Sequence, residues 1–257
     1  MPNTEVEPLE SPTARRKEPW LSLAGHLEEL RRRLGVCLAA FVLAGGASLA
    51  WMEDLIGWLS RPAEPYLVTF AFFSPTEPLV AYMKVAGLAG LAGAMPVLLW
   101  QAWAFVSPGL RPEERRHGAA FIGGGSALFV LGVAFAYTAL LPASLRVLLG
   151  LAGRWFEPVL SIDQYLGFVT SLAFWCGVIF ELPLVIVVLS RVGIVTPAWL
   201  QQQRPYAILV IVIAAAILTP TTDVLSLLLM VVPIVVLYEV SIVVAHLTRR
   251  KPSGGST

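Results

Sequence analysis

The side chains able to do chemistry are few, and the most suggestive are acidic. Two carboxylate pairs, Glu28/Glu29 and Glu113/Glu114, stand beside arginines, the first next to Arg31, Arg32 and Arg33, the second next to Arg115 and Arg116. Carboxylates so placed could receive a basic ligand, and a bidentate carboxylate–guanidinium contact adds geometric selectivity to charge. A local reading stands beside that one. Glu28/Arg32 and Glu29/Arg33 have the i,i+4 spacing of partners on a solvated helix. A third carboxyl, Glu181, lies alone in a long apolar run with Pro183 two residues on. Proline lacks the N–H that would bond the carbonyl of Ile179. Ionisable groups inside apolar spans are costly and usually functional. Glu181 therefore fits a polar docking site for another helix, a proton-linked switch, or a hydrogen bond to a neighbouring span.

Other reactive types are scattered. His26, His117 and His246 are far apart, and Cys37 and Cys176 lie inside apolar runs, where they read as packing residues. Neither their number nor their spacing suggests a disulfide framework or a metal site. Phosphate-binding loops are absent from the sequence, and Gly123-Gly-Gly-Ser126 reads as a close-packing run rather than a nucleophile elbow. We expect no catalytic set, no cofactor and no metal. Glu239 fits snorkelling or pairing, Asp223 fits a helix N-cap, and Lys84 fits snorkelling to the interface. Pro96 and Pro233 should bend the helices that contain them. The pairs Ala89/Gly93 and Gly90/Ala94 permit close helix approach.

Composition says what must position these groups. Of 257 residues, 57% are apolar and 14% charged, against about 45–50% and about 25% in soluble domains. Mean hydropathy is +0.75. Such a chain is neither disordered nor a soluble enzyme, and a net charge of +1 gives no field for nucleic acid. A helix needs about 20 apolar residues to cross about 30 Å of hydrocarbon. Windows free of Lys, Arg, Asp and Glu supply six spans: 34–52, 85–110, 117–145 broken at Pro142, 164–190 interrupted by Glu181, 205–222, and 224–247 across Glu239. The strictly apolar part of the fifth, 206–218, would rise only about 20 Å. We expect spans five and six to be short, forming a wall that thins the bilayer.

Six spans place both termini on one side. That side would carry fourteen of the 18 Lys and Arg, in the N-terminal segment, the loops after spans two and four, and the C-terminal tail. The positive-inside rule then makes both termini cytoplasmic. Residues 1–25 read as a disordered basic tail with neither a cleavable signal nor a transit peptide, which favours the plasma membrane. Residues 26–250 form the membrane domain, and 251–257 a second tail. On the far side, 53–78 and 141–165 carry prolines and aromatic residues and read as interface-hugging loops.

Several stretches, in order along the chain, together resemble one family, the TatC proteins of the twin-arginine translocase. They are His26-Leu-Glu-Glu-Leu-Arg31; Ser74-Pro75 with Glu77-Pro-Leu79; Gln101-Ala-Trp-Ala-Phe-Val-Ser-Pro-Gly109 with Glu114-Arg-Arg116; Gly132-Val-Ala-Phe-Ala-Tyr137; Phe180-Glu-Leu-Pro183; and Arg204-Pro-Tyr206 leading to Leu218-Thr-Pro220 and Asp223. The resemblance implies an all-α integral membrane protein whose bent helices make a concave, glove-like bundle. It also implies a receptor for twin-arginine signal peptides, assembled with the single-span Tat subunits A and B and with itself. Export of folded cargo would then be driven by the proton-motive force. It carries signal-peptide binding onto Glu29 and Glu114, with Arg31 and Phe105 beside them. Partner contact on the concave face falls on Glu181, and Pro62, Pro96 and Asp223 match other sensitive positions. The chain departs from the family pattern at Gln201-Gln-Gln203, often basic in relatives, and in a turn before Asp223 that is one residue longer. Two rival classes are a small-solute transporter using Glu181 as proton carrier, and a structural scaffold.

Overall fold

The computed structural model describes residues 19–66, 70–109, 112–150, 159–218 and 224–248. Among these the chain is all helical apart from one isolated bridge. Helix α1, Pro19–Ser48, begins inside the stretch expected to be a tail. Proline suits a first helical turn, where its missing N–H has no intrahelical partner. Leu27, Leu34, Leu38 and Leu43 on α1 are all exposed, so its apolar stripe faces outward as it would toward lipid.

Helix α1 packs along α3, Glu77–Val106. Their crossing is set by glycine: a Cβ on Gly90 would lie 2.8 Å from the Gly45 backbone. Of the small-residue pairs read from the sequence, Gly90 is thus the one that fixes the approach. Helix α3 runs through Pro96, which is exposed.

After α1 the short α2, Met52–Ser60, buries Met52 and Leu59 and leaves Glu53 and Asp54 outside. A 3₁₀ turn, Arg61–Ala63, holds Pro62 half-buried. Phenolic O–H groups fasten this segment from two other helices. Tyr137 donates to the Trp58 carbonyl at 2.6 Å, and Tyr165 to the Leu59 carbonyl at 2.8 Å. The segment is therefore bound down onto the bundle and not merely resting at an interface.

The third pass corrects two expectations. It does not break at Pro142: α5, Gly118–Phe135, runs through a π turn, Ala136–Leu140, into α6, Leu141–Gly150. A π turn just before the proline widens the hydrogen-bond ladder, so the missing donor is absorbed without ending the helix. The expected loop 141–165 is correspondingly shorter, since its first ten residues are helix. Trp155 and Phe156 lie outside the described residues.

The fourth pass is two helices, α7, Ile162–Phe180, and α8, Leu182–Val192, meeting at Glu181. Pro183 sits in the first turn of α8, and the Glu181 N–H turns to the Val178 carbonyl at 3.1 Å. Gly193 ends α8 at φ +86°, and the Ile194 N–H closes back on the Leu189 carbonyl at 2.9 Å. Only glycine takes that left-handed cap without steric cost. After α4, Pro112–Arg115, and α9, Pro197–Gln202, the remaining helices are α10, Arg204–Leu218, and α11, Val224–Thr248.

Five helical stretches among the described residues are long and apolar enough to cross a membrane, and α10 is apolar but shorter. At 15 residues α10 rises about 22 Å, well under the bilayer core. Span six is not short, contrary to expectation. Helix α11 has 25 residues, about 37 Å, and Pro233 lies within it. Helix α11 continues through Glu239 as expected, and the Glu239 carboxylate accepts from the Arg204 guanidinium at 2.6 Å across the α10–α11 pair. Asp223 lies outside the described residues.

The core gathers α3, α5 and α7, with α8 against α11 and α10 along α11. Phe129, Leu140, Leu166, Met230 and Ile242 are fully buried there. The passes alternate in direction, so the bundle has two ends. One, the cap end, carries α2, residues 70–76 and the start of α7. The other, the basic end, carries the start of α1, the end of α3 and α4.

At the cap end, residues 70–76 join the start of α7. Ala71 accepts from the Ile162 N–H and donates to the Leu160 carbonyl, at 3.0 and 3.1 Å. The Ser161 hydroxyl caps α7 by accepting from the Gln164 N–H, and donates to Glu77 at 2.7 Å. Lys84 does not simply snorkel: its ammonium pairs with Asp163 at 2.7 Å. It lies across Gly167, where a Cβ would come within 2.9 Å of Nζ.

Candidate functional site

The basic end holds the carboxylates that sequence singled out. Glu29 lies one helical turn before Arg33 on α1, and the spacing expected to pair them does so. Arg33 Nε and a terminal nitrogen donate to Glu29 Oε1 at 3.0 and 2.5 Å. The equivalent spacing of Glu28 and Arg32 yields no ion pair between them, and both are exposed. Arg31 is also exposed. It lies two residues from Glu29, a spacing that puts side chains on different helix faces.

Sequence reasoning missed two groups here. Arg33 also donates to the Gln101 side-chain carbonyl at 3.0 Å and to the Ala104 main-chain carbonyl at 3.3 Å. The lead-in to α1 is thereby tied to the last turns of α3. The local part of this contact was legible as an i,i+4 pair. The contact across 68 residues had no signal in the sequence, because it depends on how α1 crosses α3.

Phe105, partly buried, follows Ala104 at the end of α3. A 3₁₀ turn, Ser107–Gly109, leads toward α4, which carries Glu113 and Glu114. Both feet of this excursion are held. Trp103 is buried against Gly118 at the start of α5 and meets the Phe121 ring in a tilted contact at 4.8 Å, while the Arg115 guanidinium donates to the Pro108 carbonyl at 3.0 Å. Glu113 is exposed, and the Glu114 side chain lies outside the described residues. The backbone thus brings the Glu29 helix and the Glu113/Glu114 helix to one end of the bundle, both based on the end of α3.

Glu181 belongs to a different place. It is buried at the α7–α8 break, and neither carboxylate oxygen has a hydrogen-bond partner among the described residues. Room for it comes from Gly125 on α5, where a Cβ would sit 3.1 Å from Glu181 Oε2 and closer still to Leu99 and Leu184. The expected glycine run therefore packs closely at Gly125 alone; Gly123 and Gly124 face open space. The Ser126 hydroxyl, next in sequence, is likewise buried without a partner among the described residues. An unanswered buried polar group costs about 1–3 kcal/mol. At Glu181 a donor from outside the chain would therefore be stabilising. Of the remaining site residues, Pro62 is at the cap end and Pro96 is in mid-α3, so the structure does not gather them with Glu181. Among the described residues no group of three or more His, Cys, Asp or Glu could hold a metal ion.

Comparison with known proteins gives one consistent answer. Residues 25–233 match the family model for the Sec-independent protein translocase protein (TatC). The chain is 36% identical over 229 residues to the Sec-independent protein translocase protein TatCd of Bacillus subtilis, covering 89% of this chain and 93% of that one. It is 37% identical over 238 residues to TatC of Aquifex aeolicus, covering 90% and 97%. Its fold matches a crystal structure of a twin arginine translocase receptor, TatC, with a TM-score of 0.76 at 36% identity, over 88% of this chain and all of the other. A structure of such a receptor in DDM also matches with a TM-score of 0.76, at 37% identity. An all-helical bundle with this many apolar passes, and sequence identity along nearly its whole length, assign the protein: it belongs to the TatC family of Sec-independent protein translocases.

Proposed function

We propose that this protein is the signal-peptide receptor of a twin-arginine translocase, exporting folded proteins with the proton-motive force, and that it is not an enzyme. It crosses a bacterial-type plasma membrane six times with α10 as the short fifth pass, and both termini are cytoplasmic. Residues 26–250 are the membrane domain, with tails on either side. The positive-inside bias supports this orientation, since it makes the basic end cytoplasmic.

Glu29 and Glu114 receive the two guanidinium groups of the signal peptide, with Arg31 and Phe105 beside them. The apolar stretch that follows lies along the concave side of the bundle. Glu181 is a contact for the single-span Tat subunits A and B, and Pro62, Pro96 and Asp223 are further functionally sensitive positions. The observation that carries the reading is the placement of Glu29. It is held by Arg33 on the end of α3, which also leads into the helix of Glu113 and Glu114. Two carboxylate clusters on one scaffold suit a ligand with two adjacent guanidiniums, because each pair of charges forms a fork-to-fork contact.

The direct test uses the full chain in lipid nanodiscs and two synthetic leaders identical except for paired arginines or paired lysines. We expect the arginine leader to bind at least about 10-fold more tightly, since lysine cannot form the bidentate contact. Equal binding would reject the receptor assignment.

A further inference from the structure

The guanidinium of Arg33 does more than neutralise Glu29. All three of its nitrogens are used. Two donate to Glu29 Oε1, one to Gln101 Oε1, and one of the first two also to the Ala104 carbonyl. Two of these three acceptors are on α3, so the guanidinium stays anchored there whatever Glu29 does. The Arg33 side chain is only 17% exposed, against 33% for Glu29. It forms the inner layer of the contact, and Glu29 the outer.

The mechanics of α1 make this anchor matter. Helix α1 packs mainly along α3, and its outward face is apolar. Its close backbone contact with α3 is at Gly45 and Gly90, twelve residues beyond Arg33. Toward the basic end, Arg33 joins the two helices through hydrogen bonds. Without it, the start of α1 could pivot about the glycine crossing and carry Glu29 with it. A planar, five-donor guanidinium can span three acceptors at once, which a single ammonium cannot do at fixed angles.

We propose that Arg33 is a positioning residue for arginine recognition: anchored on Gln101 and the Ala104 carbonyl, it holds the Glu29 carboxylate in a fixed place relative to the end of α3. The role rests on the receptor reading above. It sets the separation between Glu29 and the second carboxylate cluster, and so the spacing of guanidiniums the receptor accepts.

The test is a binding cycle on the full chain in nanodiscs with the arginine and lysine leaders. Arg33→Gln should weaken the arginine leader about 10-fold and bring its preference over the lysine leader toward one. Arg33→Lys should recover part of that preference, and Gln101→Ala should lose a smaller part of it. The decisive measurement is Glu29→Ala/Arg33→Gln, which should bind no worse than Glu29→Ala alone, because Arg33 acts through Glu29. A general structural role would instead make the two losses multiply, and that outcome overturns the proposal. So would unchanged binding by folded Arg33→Gln. Tighter binding would overturn it too, by showing that Arg33 competes with the ligand. If the unaltered protein fails to distinguish the leaders, the receptor reading falls and this proposal with it. If it distinguishes them and Arg33→Gln does so equally well, this proposal alone falls.

Discussion

The two ends of the bundle are both polar, yet they use their polar groups differently. At the cap end the partners come from distant parts of the chain and close inward: Lys84 to Asp163, Ser161 to Glu77, Tyr137 to Trp58, Tyr165 to Leu59. At the basic end the long-range tie of Arg33 to α3 stands among charges that face outward, including Glu28, Arg31, Arg32 and Arg116. A polar group answered from within contributes to the fold, whereas one held at the surface remains available to a ligand. The cap end is therefore a clasp, and the basic end is the proposed receiving surface. Glu181 is a third case, more deeply buried than the clasp and without a partner among the described residues.

The largest expected break in this contrast is at the clasp. Lys84→Met leaves Asp163 without its counter-charge, partly buried beside the core. Removing one member of a fully buried pair costs about 3–5 kcal/mol, and with side chains 36% and 23% exposed the loss here should be about 2–3 kcal/mol. Thermal unfolding in detergent should drop clearly, and Lys84→Met/Asp163→Leu should recover most of the loss. A double variant as unstable as the single would show that the pair does not act as a unit.

Glu29→Ala at the receiving surface should do the opposite. Its loss should appear as about 10-fold weaker binding of an arginine leader, with the unfolding temperature nearly unchanged. A large fall in stability at unchanged affinity would erase the distinction between the two ends.

Comparable in size is Gly90→Ala, which touches neither end. Its new Cβ meets Gly45 backbone at 2.8 Å, which no rotamer can relieve. Overpacking of this kind costs about 1–3 kcal/mol, and we expect about 1.5 kcal/mol here, read by thermal unfolding. Leader binding should weaken slightly as well, because α1 carries Glu29.

The smallest effect on stability is expected at Glu181. Glu181→Leu removes an unanswered buried carboxyl, so the isolated protein should be unchanged or more stable by about 1 kcal/mol. Crosslinks to single-span partners should be lost while leader binding persists. A clear destabilisation would mean that the carboxyl is satisfied within the fold and is no docking point.

How much of this could be read in advance differs by element. The passes themselves were legible, because a bilayer demands long apolar runs and the chain supplies them. The Glu29/Arg33 pair was legible too, being a contact within one turn of helix. Pro142 misled because a π turn can absorb a proline, and the sequence carries no mark of that choice. The window 224–247 already matched nearly all of α11, but nothing in the sequence showed what answers Glu239. Its partner, Arg204, lies 35 residues away on another helix. The same reason explains Lys84, whose partner Asp163 is 79 residues distant.

Sequence by itself determined the apolar passes, the basic bias of one end, the acidic pairs and the family, since each depends on composition or on order along the chain. Tertiary structure alone decided which charges are answered and by what. It placed Arg33 on α3, Lys84 on Asp163 and Glu239 on Arg204, and it left Glu181 in a space opened by Gly125. The physical reason is that a charge in a low-dielectric bundle is governed by the few side chains within hydrogen-bonding distance. Those neighbours are chosen by helix crossings rather than by sequence neighbourhood.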